Sequence, residues 1–406
     1  MELASLADSI RSFIEEDGEV LHNIALDIYN NPELGNDEYK SAALLCGALQ
    51  EAGFEVQMPY MDLATAFKAT LDTGKPGGEV GLLCEYDALP GIGHGCGHNL
   101  IGVMSVGAAR ALASIKDELS GKIMVFGCPA EETNGAKVPL SQGGAFDSCD
   151  AIMQVHPGSE HAVGGTSLAI DALEFIFTGR TAHASGNPQD GINALDACIQ
   201  TFNGINALRQ HVTPDVRIHG IIKEGGLAAN VVPERAVAQF YVRAGKRSYL
   251  QEVVKKVLAC AEAGAKMAGA SLETRSFEYS NDDLLSNRVL GDLWVEQLTD
   301  LGIEDTEIIR NYGKEGRGST DVGNVSHKAP TIHPSIGITG GEKVSGHSRE
   351  FAACTITTDG QQATLLAAKA LALSCLHLLT DETLRDKVRE EFITEKNAAP
   401  QSIDLS

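Results

Sequence analysis

Short, uninterrupted apolar runs alternate with stretches of helical periodicity through most of the chain. Val80 to Cys84, Ile123 to Cys128, Ala151 to Val155 and Thr331 to Ile338 are such runs. Their continuity predicts strands covered on both faces, as in a mainly parallel sheet. Between them Ser41 to Ala52 and Leu100 to Ile115 carry apolar residues at helical spacing, with Asn99 placed to cap the second. Gln362 to Leu379 predicts a long, well-buried helix near the end of the chain.

The middle of the chain has a different rhythm. Asp171 to Thr178, Val216 to Lys223, Ala236 to Val242 and Leu272 to Tyr279 alternate more and read as strands, with helices over about 193–209 and 248–268. The order β-α-β-β-α-β is that of the ferredoxin-like split unit, which forms a two-layer domain by itself. The expected fold is therefore α/β: a domain built on a mainly parallel sheet, contributed by residues 1–169 and 282–406, interrupted by an inserted ferredoxin-like α+β domain over 170–281. The edge strands of the insertion can pair with a second copy, which predicts a homodimer.

Composition narrows the partners. The 406 residues are 43% hydrophobic and 21% charged, ordinary globular usage. Thirty-two Lys and Arg against 55 Asp and Glu leave a net charge of -23, which argues against nucleic acid or an anionic membrane as partner. The opening MELASLADSIRSFIEEDGEV puts acids where a signal peptide needs a basic and then an apolar region. Cys46, Cys84, Cys128, Cys198 and Cys375, of nine cysteines, lie in apolar surroundings as reduced thiols do, so a cytoplasmic location is expected. Cys96 alone has polar, glycine-rich company.

In open α/β sheets functional groups gather beyond the carboxyl ends of strands. Val80 to Cys84 is followed by Glu85-Tyr86-Asp87 and a glycine-rich segment ending Cys96-Gly97-His98; Ile123 to Cys128 leads to Glu131-Glu132; Ala151 to Val155 leads to His156; Ile338 leads through Gly340-Gly341 to His347. In extended backbone Cys96 and His98 would leave the chain on one face, with Gly97 allowing close approach to an ion. Thiolate, imidazole and carboxylate together suit zinc or a neighbouring transition metal and not calcium or magnesium. Glu131 and Glu132 are adjacent and cannot easily aim at one atom, so one can bind metal while the other exchanges a proton with water. A lone histidine or a Glu-Glu pair is ordinarily just a satisfied or solvated polar group. Convergence of five candidates on one sheet edge is the signal.

The runs CEYDALPGIGHGCGHNLIG, PAEETNGAK, QVHP, TAHASGNPQDGINALDA, GGLAANVVPERA and GSTDVGNVSHKAP together resemble the metallopeptidase family of aminoacylases, glutamate carboxypeptidases and auxin-conjugate amidohydrolases. The Cys-Gly-His motif and the Glu-Tyr-Asp variant are most similar to its amidohydrolase branch, which contains dipeptidases and aminobenzoyl-glutamate hydrolase. The resemblance implies two divalent ions per chain, zinc with manganese or cobalt as alternatives, held by Cys96, His98, Glu132, His156 and His347 with the Cys96 thiolate as bridge. It implies Glu131 as general acid/base and Asp87 as the group that orients a ligand imidazole. Glu85 stands where the family usually has Asp or His.

In the insertion the resemblance implies that His183 reaches across a dimer to polarise the scissile carbonyl and that Asn230 and Arg243 hold a substrate carboxylate. Ser319, Thr320 and Asp321 match a family loop without an assignable role. The implied activity is hydrolysis of the amide joining an acyl or aminoacyl group to an amino acid with a free carboxylate. A metallo-dipeptidase or carboxypeptidase acting on small peptides is the alternative. A cysteine hydrolase using Cys96 with His98 leaves the other four positions unexplained, and a non-catalytic binding protein would be expected to have lost some of them.

Overall fold

The computed structural model describes residues 2–314, 316 and 318–398. They form two units, one of residues 2–166, 284–314 and 321–398, the other of residues 167–283 with 316 and 318–320.

The first unit is built on a six-stranded sheet in the spatial order Glu55–Gln57, Phe67–Asp72, Lys122–Gly127, Glu79–Cys84, Ala151–Met153, Thr331–Ile332. The last four strands run parallel, and the first two join antiparallel at one edge. The apolar runs are continuous because both faces are covered. Val80, Leu82, Cys84, Ile123 and Val125 enter one core with the helices His98–Ser114 and Thr358–Thr380. Leu83, Met124 and Phe126 enter another with Leu140, Phe146, Val322 and Val325. The helix Thr358–Thr380 is long and apolar enough to cross a membrane, yet 72% of its most apolar window is buried inside the protein, as a core helix requires.

Two expectations fail locally. Thr331 to Ile338 is not one strand: Thr331–Ile332 completes the large sheet, and Ser335–Gly337 pairs with His156–Gly158 in a separate four-stranded sheet. Pro334 sits at the break, and a proline cannot donate to a ladder. Nor does Asn99 cap its helix. Gly97 does, at φ 81°, and the Asn99 side chain is buried, its amide donating to the Thr355 hydroxyl at 3.2 Å and the Ala25 carbonyl at 3.4 Å.

The second unit is a four-stranded antiparallel sheet in the order Ser271–Ser276, Ala169–Thr178, Arg235–Ala244, Arg217–Glu224. The helices Ala194–Leu208 and Arg247–Ala268 cover one face, packing on Phe175, Phe177, Phe240 and Val242. Asn193 caps the first of them, its side chain accepting from Leu195 and Asp196 N–H, the local bond that sets a helix start. The edge strand Arg217–Glu224 is exposed along most of its length, including Ile221 and Ile222.

Candidate metal centre

The first unit brings the sequence-marked side chains to one place. The strand Glu79–Cys84 delivers Glu85 and Asp87, and the strand Lys122–Gly127 leads into the turn carrying Glu131 and Glu132. Ala130, at a left-handed φ of 61°, bends that turn back on itself. The turn is held by Glu38, a fully buried carboxyl that accepts the Ala130 N–H at 2.7 Å and the Thr65 hydroxyl at 2.9 Å.

The imidazoles of His98 and His156 are oriented by what their other nitrogens touch. His98 Nδ1 lies 2.8 Å from Asp87 Oδ1, so it carries the proton and leaves Nε2 as the free donor atom. The second oxygen of Asp87 accepts the Glu132 backbone N–H at 2.9 Å, fixing Glu132 against His98. His156 Nδ1 is 2.7 Å from the Pro157 carbonyl, which can only accept. Its Nε2 therefore faces the Cys96 Sγ, 3.5 Å away. His347 Nε2 lies 3.2 Å from Glu132 Oε1.

Three triplets each bring one ligand atom per residue within 4.8 Å of the others: Cys96, His98 and His156; Cys96, Glu132 and His347; His98, Glu131 and Glu132. Cys96 is common to the first two. The site also fits a cation by what its atoms lack: His98 Nε2 and Glu132 Oε1 are buried without a hydrogen-bond partner, whereas buried polar atoms are ordinarily satisfied. Burial pushes the Cys96 thiol up to about 12, so it becomes a thiolate only with positive charge beside it.

Two geometric premises are corrected. The chain from Cys96 to His98 is not extended, since Gly97 is left-handed and His98 is the first helical residue. The bend still sets both side chains together. Glu131 and Glu132, although adjacent, both place an oxygen within reach of His98, because the turn at Ala130 lets neighbouring side chains converge.

Behind His98 lies a charge cluster that the sequence did not announce. Lys137 is fully buried, with Nζ 2.6 Å from Glu85 Oε1 and 2.7 Å from Asp321 Oδ1, and its backbone N–H donates to Asp321 Oδ2 at 3.1 Å. The other Glu85 oxygen is 3.5 Å from His98 Nε2. Glu85, Glu131 and Asp321 themselves come within 4.8 Å of one another. Burial acts to raise Glu85, but Lys137 and His98 outweigh it and hold this carboxylate well below its usual range. Glu131 goes the other way, pushed well above the usual range by burial and then by Glu85 and Asp321. A lysine opening the short apolar turn Lys137-Val138-Pro139-Leu140 was the available signal. His333, likewise unmarked, stands edge-on to His156 with ring centres 5.5 Å apart.

Burial, and then the Asp87 charge, push Glu38 from its ordinary 4.5 to about 7 against the hydrogen bonds it accepts. The folded state thus holds the proton more tightly than the unfolded chain. That contribution is full below about pH 4.5 and is lost as pH rises through about 7. Glu38→Gln should therefore flatten the stability-versus-pH curve across this window in urea titrations; a slope equal to that of the wild type would show that Glu38 does not titrate there.

The remaining marked residues lie in the second unit. His183 is exposed, and its Nδ1 accepts from the backbone N–H groups of Ser185 at 3.3 Å and Gly186 at 3.1 Å, which places the ring proton on Nε2. Asn230 is adjacent, its carbonyl accepting the Ala184 N–H at 3.0 Å. Arg243 donates to Ser319 Oγ at 3.1 Å and lies over the Tyr241 ring. Of the loop left without a role, Asp321 belongs to the Lys137 cluster and Ser319 to Arg243. A cavity of about 360 Å³ elsewhere in the first unit, lined by Glu15, His22, Leu100 and Gln361 among others, includes none of the clustered ligands.

Residues 169–267 match the family model described as a peptidase dimerisation domain. The chain is 35% identical over 404 residues to the human Xaa-Arg dipeptidase, covering 93% of this chain and 90% of that one. It is 28% identical to one subunit of the p-aminobenzoyl-glutamate hydrolase of Escherichia coli strain K12, covering 93% of each. A dinuclear metal-binding peptidase from the M20 family of Bacillus subtilis shares the fold, with a TM-score of 0.69 at 20% identity over 90% of this chain and 99% of that one.

Proposed function

This chain belongs to the M20 peptidase family, a divalent-metal-dependent hydrolase of the amide bonds of acyl and aminoacyl amino acids, and from that premise we propose a binuclear site acting on substrates with a free carboxylate. The observation that carries the reading is Cys96 shared between two ligand groups, with oriented imidazoles in one and Glu131 alongside. Cys96, His98, Glu132, His156 and His347 would hold the two ions, zinc by donor chemistry, with manganese or cobalt as alternatives. The ions, when bound, supply Lewis acidity toward the carbonyl and toward water.

Glu131 takes a proton from water and delivers it to the leaving amine. Asp87 keeps His98 in its ligating tautomer. His183, donating from Nε2 from a second copy of the chain, stabilises the developing oxyanion; Asn230 and the Arg243 fork hold the carboxylate. The exposed edge strand Arg217–Glu224 and the match to a dimerisation domain support a homodimer, and nine free cysteines support a cytoplasmic location. A dipeptide substrate is the narrower alternative, favoured by the similarity to the human Xaa-Arg dipeptidase.

The test is to strip the protein with a chelator, restore zinc, manganese or cobalt separately, and assay N-acyl amino acids, aminobenzoyl-glutamate and dipeptides for release of the free amino acid. Hydrolysis should vanish on stripping and return on reloading. Turnover by protein shown metal-free by elemental analysis would overturn the reading. Cys96→Ser should lower metal occupancy, whereas Cys84→Ser should not, since that buried thiol faces the Gly102 carbonyl at 3.6 Å. Full occupancy in the Cys96 variant would remove the bridge.

A further inference from the structure

Along the strand Arg235–Ala244, Phe240, Val242 and Ala244 enter the core under the two helices, so Tyr241 and Arg243 stand on the opposite, helix-free face of the sheet. Tyr241 is opposite Ala172 on one neighbouring strand and His219 on the other. Beyond the edge strand Ser271–Ser276, Phe277 donates its N–H to the Ala172 carbonyl at 3.2 Å. This sets the Phe277 ring against Tyr241, with centres 5.2 Å apart, and brings Glu278 round to accept the Tyr241 hydroxyl at 2.7 Å.

The Tyr241 side chain thus touches two opposite charges. On one side the Arg243 guanidinium lies over the ring at 5.8 Å from its centre, with Nε buried and lacking a hydrogen-bond partner. At the hydroxyl end is the half-buried Glu278 carboxylate. Among the described residues neither forms a salt bridge, with the other or with anything else. Two partly buried opposite charges that meet the same tyrosine and attract each other without closing into a salt bridge make a site for a ligand carrying a carboxylate and a cation at the ends of a hydrocarbon chain. A tyrosine hydroxyl needs only a neutral acceptor, so the full charge of Glu278 is unexplained by the hydrogen bond it accepts.

We propose that Glu278 is a specificity-determining residue: while Arg243 holds the α-carboxylate of the leaving amino acid, Glu278 receives a cationic side chain, so the preferred substrates end in a basic residue. The inference rests on the reading of Arg243 as the carboxylate fork.

Metal-loaded wild type and Glu278→Gln are compared on one acyl group joined to arginine or to citrulline, whose neutral urea copies the shape of the guanidinium. The wild type should favour arginine by about 10-fold or more in kcat/KM, the scale of a lost charge-assisted contact. Glu278→Gln still offers the Tyr241 hydroxyl an amide oxygen and should bring the ratio to within about 2-fold of one. A purely structural Glu278 would lower both substrates by the same factor and leave the ratio intact, which would overturn the proposal, as would a wild type without preference. Calorimetric titration with free arginine and citrulline reads the same discrimination without turnover. Arginine binding that weakens in the variant upholds Glu278 even if hydrolysis fails, and loss of hydrolysis alone then falls on the reaction.

Discussion

Glu131→Gln should retain its metal and lose turnover by at least about 100-fold, the usual scale for removing a general acid/base. Its neighbour should behave in the opposite order: Glu132→Gln should lose metal first and activity in consequence. The difference follows from position. Glu132 Oε1 lies 3.2 Å from His347 Nε2 and 3.9 Å from His98 Nε2, is buried, and has no hydrogen-bond partner, so it is placed among the imidazoles where a ligand would be. Glu131 also reaches His98 but, unlike Glu132, groups with Glu85 and Asp321 as well, whose negative charge, after burial itself, favours its protonated form. A carboxyl that holds a proton readily in the fold suits a group that must take one up and pass it on. Glutamine keeps the size and removes that capacity. Metal content by elemental analysis and single-turnover hydrolysis decide it together. If the Glu131 variant lost metal and the Glu132 variant kept it, the two roles would exchange.

Much of this was legible from the chain because the signals were local. Uninterrupted runs such as Val80 to Cys84 are strands since alternate residues enter two separate cores, which is what a lack of alternation means. The candidate ligands were visible because each lies in the segment that follows a strand, Glu132 and His156 within a few residues, and Cys96, His98 and His347 farther along glycine-containing stretches. The misread features depend on backbone turns that composition does not encode. The left-handed Gly97 and Ala130 bring Cys96 to His98, and Glu131 to Glu132, by bending rather than by extension. Pro334 was a readable break inside Thr331 to Ile338, and the apolar continuity masked it. Lys137, Glu38 and Asp321 were illegible for a different reason. Their partners are 52, 92 and 184 residues away in sequence, at Glu85, Ala130 and Lys137, and only the assembled sheet brings them together.

That long-range cluster supports a second large effect. Lys137→Met should cost about 3–5 kcal/mol of stability, the range for removing one partner of a buried ion pair. The methionine fills similar space, so the loss is electrostatic rather than a cavity. Without the ammonium, Glu85 and Asp321 remain buried and face Glu131 within 4.8 Å, three acidic groups with no cation among them except what the metal site provides. Raised carboxyl pKa values in such a fold make its stability fall as pH rises past the ordinary carboxylate range. The deficit against the wild type should therefore be largest near neutral pH and shrink toward pH 4.5. Changing all three members, Lys137→Met with Glu85→Gln and Asp321→Asn, should recover most of it, since a neutral cluster no longer holds uncompensated charge. Denaturant titrations on metal-free protein, followed through the lone Trp294 buried in the first unit, separate this from metal loss. A single variant within about 1 kcal/mol of the wild type at neutral pH would place it among exposed pairs, and Lys137 would then not be what holds Glu85 behind His98.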